Sequence, residues 1–151
     1  MHENLVRIKA VNEALKGLEQ EFVFVGGATV SLYATNPELA TEVRPTDDVD
    51  VIVELASYGG YAGIDEKLRG LGFKNDVASG VICRYILQGI IVDVMPTEPK
   101  VIGFANRWYP EGFEMAMISN WIKIPRLRYS HCPISLPPSG RLLKEGRRTI
   151  T

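Results

Sequence analysis

The sequence predicts an α/β (α+β) domain, a β-sheet flanked by helices, on two patterns and a size. Two stretches carry apolar residues every three to four positions, as helices with one buried face do. Four short runs rich in Val, Ile, Phe and Leu, bounded by Gly, Pro or charged residues, alternate with them and read as strands. At 151 residues, 46% hydrophobic and 23% charged, the chain suits one domain with a sizeable core. A net charge of −1 provides no global basic field, so any nucleic-acid partner must be held by a local patch.

Taken in order, Leu5, Ile8, Val11, Leu15 and Leu18 predict a helix over Asn4–Gln20, weakened at Gly17. Phe22–Val25 predicts a buried strand, and Gly26-Gly27 a corner from which a helix over Ala28–Ala34 begins. Such a corner is either a tight turn or a place where backbone N–H groups approach an anion. A loop, with a short turn at Glu38–Thr41, leads to a strand over Asp48–Glu54. Ser57–Gly63 reads as a loop, and Ile64, Leu68 and Leu71 as a second helix ending near Gly70 and Gly72. Strands at Val81–Leu87 and Ile90–Met95 around Gln88-Gly89 predict a hairpin stopped by Pro96. Met115–Ile124 reads as one or two further strands, with Trp121, Ile122 and Ile124 buried. The folded domain is expected over residues 1–124. Residues 125–151 read as a poorly structured, basic and Pro-containing tail, either a solvated end or a nucleic-acid-binding arm.

The chemistry concentrates in three aspartates. Side chains alternate along a strand, so Asp48 and Asp50 share a face while Val49, Val51 and Val53 point into the core. Paired carboxylates repel, and a divalent cation between them relieves that repulsion. Asp93 lies among Ile90, Ile91, Val92 and Val94, where a buried charge demands a partner. That partner is either the same metal or a basic side chain such as Arg84. Arg107, next to Trp108 and Tyr109, is a candidate phosphate contact, and the two rings read as packing or as base stacking. Cys83 and Cys132 lack the spacing of a zinc site or disulfide framework and read as reduced thiols. No stretch approaches the roughly 18 apolar residues of a membrane span, and no signal pattern opens the chain. A soluble, cytoplasmic protein that does not engage the membrane is the expectation.

Val25-Gly26-Gly27, then Asp48-Val49-Asp50, then Val92-Asp93-Val94 resembles the DNA polymerase β-type nucleotidyltransferase superfamily. Arg44-Pro45-Thr46, Val92–Pro96, Gly103-Phe104 and Asn106–Tyr109 are similar to the AbiEii/AbiGii branch (abortive infection, type IV toxin). The likeness covers about Phe22–Ile124. It implies the nucleotidyltransferase fold, with a mixed twisted sheet, and an enzyme that moves a nucleoside monophosphate from a nucleoside triphosphate to an acceptor hydroxyl. By the same resemblance Asp48, Asp50 and Asp93 hold Mg²⁺, as two ions, or Mn²⁺. Gly26, Gly27, Thr29, Ser31, Arg44 and Arg107 would meet the nucleotide, and Asp93 would accept the acceptor's proton. The acceptor is RNA, a protein or a small molecule, and a cognate antitoxin is a partner implied for this branch.

Departures from the pattern keep other readings open. Asp47 adds a negative charge beside the pair, and the spacer from Gly27 to Asp48 is longer than in small members of the superfamily. After Cys132 the chain lacks the relatives' segment resembling Pro-Tyr-Phe-Leu-Ala-Thr-Lys, although codons for Cys132–Gly146 read in the neighbouring frame permit it. A frameshift just before Cys132 is therefore expected, and sequencing the locus tests it: codons incompatible with that frame would contradict it. The alternatives are an inactive truncated remnant or nucleotide-binding module, and an antibiotic-type enzyme acting on a small molecule.

Overall fold

A computed structural model describes residues 2–33, 44–55, 58–98, 109–114, 116–119 and 127–129. Arg107, Trp108, Trp121, Ile122, Ile124, Cys132 and the turn expected at 38–41 lie outside the described residues. The described residues form a mixed α/β structure with seven strands among them, β1 (Phe22–Val25), β2 (Asp48–Val53), β3 (Lys74–Asn75), β4 (Arg84–Leu87), β5 (Ile90–Pro96), β6 (Met117–Ser119) and β7 (Leu127–Tyr129). They are ordered β3-β4-β5-β2-β1-β7-β6. β2 runs parallel to β5, and β1 to β7; the other neighbours are antiparallel.

The period-2 pattern of β2 divides the interior in two. Val49, Val51 and Val53 join Phe24, Val92, Val94 and Tyr85 on one face of the sheet. Helix α1 (Glu3–Leu15) covers that face with Ile8, Val11 and Leu15, and helix α3 (Tyr58–Gly70) with Tyr61, Ile64 and Leu68. Ile52 joins Val23, Val25, Cys83 and Met95 in a second, smaller cluster. It is closed by Phe113 from helix α4 (Tyr109–Glu114). Asp48 and Asp50 share the parity of Ile52, and this places both carboxylates on the face opposite α1 and α3.

Several elements differ from expectation. Helix α1 ends at Leu15 rather than Gln20, although Leu18 still packs into the core beyond the helix. Residues 58–63 are helical rather than a loop: burial of Tyr61 in register with Ile64 and Leu68 outweighs the low helix propensity of Gly59, Gly60 and Gly63. The hairpin is as predicted at Gln88 and Gly89, which both take positive φ (50° and 86°) as a two-residue turn of this kind requires. Its first strand begins at Arg84 instead of Val81, because the Arg84 N–H turns back to the Val81 carbonyl. β7 lies past the expected domain boundary at residue 124 and pairs with β1, so the sheet reaches into the predicted tail. Among the described residues no helix is long and apolar enough to cross a membrane.

Candidate metal centre

Register brings the three aspartates together. Asp50 on β2 pairs laterally with Asp93 on β5, and Asp93 in turn with Arg84 on β4. Asp48 stands two residues before Asp50, and one carboxylate oxygen from each of the three aspartates lies within 4.8 Å of the others. Asp50 and Asp93 are only 5% exposed, whereas Asp48 is half-buried and opens the cluster to solvent.

Arg84 occupies one side of this cluster. Its Nε donates to Asp93 Oδ1 at 2.8 Å and its Nη2 to Asp93 Oδ2 at 2.7 Å, a bidentate pair; Nη2 also lies 3.7 Å from Asp48 Oδ2. Asp50 is placed differently. Its Oδ1 is buried and has no hydrogen-bond partner among the described residues. Burial pushes the Asp50 carboxyl well above the usual carboxylate range, and the negative charges of Asp48 and Asp93 push the same way against Arg84. Asp48 is raised as well, by burial first and then by Asp93.

Such a set suits a hard divalent cation: three carboxylates converge, and one buried oxygen is left without a donor. Among the described residues the converging ligand atoms are those of Asp48, Asp50 and Asp93 and do not include Cys83, whose thiol burial pushes up to about 12.

The corner at the end of β1 is built against Asp50. Gly26 has φ +75°, and a Cβ there would overlap Asp50 Oδ2, so both the backbone and the carboxylate require glycine. Gly27 opens a 3₁₀ turn over Gly27–Thr29, followed by the one-turn helix α2 (Val30–Tyr33), in place of the single helix expected. Thr29 and Ser31, predicted phosphate contacts, are buried and already engaged. The Thr29 hydroxyl donates to the Gly26 carbonyl at 2.7 Å, and Ser31 Oγ contacts Asn4 Nδ2 (3.3 Å) and His2 Nδ1 (3.2 Å). Arg44 is exposed on the segment leading into β2.

That segment is held by residues not singled out from the sequence. Asn4, fully buried, accepts from the Thr46 N–H at 3.0 Å and donates to the Arg44 carbonyl at 3.4 Å. The Arg7 guanidinium donates to the Thr46 carbonyl, and the Thr46 hydroxyl to the Asp48 carbonyl at 3.0 Å. Helix α1 thus fixes the approach to Asp48. One signal was available: Asn4 and Asn12 fall on the same helical stripe as Ile8, Val11 and Leu15, and amides inside an apolar stripe call for specific partners.

No protein-family model matches this chain, and no curated protein matches it at a significant level.

Proposed function

We propose that the protein is a metal-dependent nucleotidyltransferase with the DNA polymerase β-type fold. The observation that carries this reading is the convergence of Asp48, Asp50 and Asp93 within 4.8 Å, with Asp50 Oδ1 buried and unpartnered. Asp48 and Asp50 would hold divalent ions, Mg²⁺ or Mn²⁺, with Asp93 completing a second position. Bound there, the ions would neutralise phosphate charge and make the acceptor hydroxyl more acidic. The acceptor oxygen would form a bond to the α-phosphorus as the bond to the β-phosphate oxygen breaks and pyrophosphate leaves. Asp93 would receive the hydroxyl proton. Gly26 and Gly27 let backbone approach the triphosphate, and exposed Arg44, on the segment held by Asn4, would meet its oxygens. The likeness to the AbiEii/AbiGii branch favours RNA or protein as acceptor, in a toxin countered by an antitoxin.

A second reading, a module that binds nucleotide without transferring it, has one observation in its favour: Arg84 already engages both oxygens of Asp93. Incubation with labelled nucleoside triphosphates, Mg²⁺ and a cell extract separates the two. A transferase labels RNA, protein or a small molecule and loses that activity as Asp48→Asn; a binding module retains the nucleotide and labels nothing.

A further inference from the structure

We propose that Arg84 takes the place of the second cation in the nucleotide-free protein, so that the aspartate cluster accepts one divalent ion rather than two. This rests on the metal reading of the cluster given above. Arg84, Asp93 and Asp50 form one lateral row across β4, β5 and β2, so the guanidinium is set beside the carboxylates by strand register rather than by a flexible excursion. The pair is bidentate, and the Arg84 side chain is itself only 17% exposed.

Charge then limits what else the site holds. With all three carboxylates ionised as ligands of a bound ion, they and one guanidinium leave two net negative charges, which a single divalent ion neutralises. A second ion would leave two positive charges among groups largely withdrawn from water. Asp93 still has lone pairs free, because a carboxylate offers about four acceptor positions and Arg84 uses two. Exclusion of the second ion is therefore an effect of the guanidinium charge, not of missing ligand atoms. The open ligand in this arrangement is Asp50 Oδ1, so the first ion belongs at Asp50 and Asp48, whose Oδ2 stands 3.7 Å from Arg84 Nη2 against 2.7 Å for Asp93 Oδ2.

The sign of one substitution separates this role from that of an orienting partner. A residue that merely orients a ligand weakens metal binding when it is removed, typically by about 10–100-fold. A competing positive charge strengthens it. Equilibrium dialysis of the metal-free protein against Mn²⁺, with bound ions counted per chain, is the experiment. The wild type is expected to bind one ion, Arg84→Met two, with the first held about tenfold tighter or more, as removal of a like charge within about 4–6 Å implies. Arg84→Lys, which keeps the charge without the planar fork, is expected to bind one.

Two ions on the wild type, or an Arg84→Met protein that binds a single ion no more tightly than wild type, would overturn the proposal while leaving the metal site standing. Absence of any bound Mn²⁺ would remove the metal site and this proposal together. If Arg84→Met does not fold, Arg84→Gln, which also removes the charge but keeps hydrogen-bond donors, takes its place: two ions support the proposal and one ion held no more tightly than in the wild type overturns it.

Discussion

At Asp50 the proposed role as a metal ligand opposes stability. In the metal-free protein its carboxyl is buried beside two other carboxylates and titrates well above its ordinary range, burial being the main cause. The folded state therefore keeps a proton that the unfolded chain gives up near pH 4. Stability from this group is complete below that pH and declines as pH rises through the folded-state value; Asp48 contributes with the same sign. Asp50→Asn is expected to stabilise the metal-free protein at pH 8 by on the order of 1 kcal/mol, although it removes the central ligand of the proposed metal site. Its unfolding free energy should also fall less than that of the wild type between pH 5 and pH 8. Urea melts in EDTA at the two pH values measure both effects. A second consequence is that Mn²⁺ at about 100 times its dissociation constant should stabilise the wild type by about 2.7 kcal/mol and leave Asp50→Asn unchanged. Thermal melts with and without the ion test this.

At the scale of elements, the corner after β1 and the strand β2 form one unit, because Gly26 lies against the Asp50 carboxylate. Gly26→Ala combines a positive φ with a steric overlap on the Asp50 carboxylate. It is expected to cost about 1–3 kcal/mol and to displace Asp50. Gly27→Ala meets only the Thr46 methyl, at 2.8 Å, and is expected to be milder because a side chain end can shift. Denaturation of both variants, followed by Mn²⁺ titration, checks the ranking. What was readable in the sequence here was local. Alternation alone placed Asp48 and Asp50 on one face and Val49, Val51 and Val53 on the other, and Gln88-Gly89 specified the hairpin that pairs Arg84 with Asp93. The choice between metal and Arg84 as the partner of Asp93 was visible but open, and the structure supplies the guanidinium without exhausting the carboxylate. Elements whose stability comes from distant contacts were not readable. The start of α3 at Tyr58 depends on burial of Tyr61, and the hold of α1 on Thr46 spans some forty residues of sequence.

For the whole molecule, the sheet order puts β2 between β5 and β1, so the strand with two of the carboxylates is central and shielded from edge exchange. Its neighbours supply the third aspartate on one side and the glycine corner on the other. The parallel β1–β7 pairing carries the sheet beyond residue 124, a non-local contact that a tail rich in Pro and basic residues gives no hint of. The scaffold thus sets Asp50 and Asp93 side by side on adjacent strands and leaves Asp48 as the solvent-facing member of the cluster. The most direct test of transfer chemistry follows the two ends of the triphosphate separately. Parallel reactions with α-labelled and γ-labelled nucleoside triphosphate, Mg²⁺ and cell extract are predicted to place the α label on a macromolecule and the γ label in pyrophosphate, with neither product formed by Asp48→Asn. Transfer of the γ label to the acceptor, or α-label transfer undiminished in Asp48→Asn, would contradict the assignment.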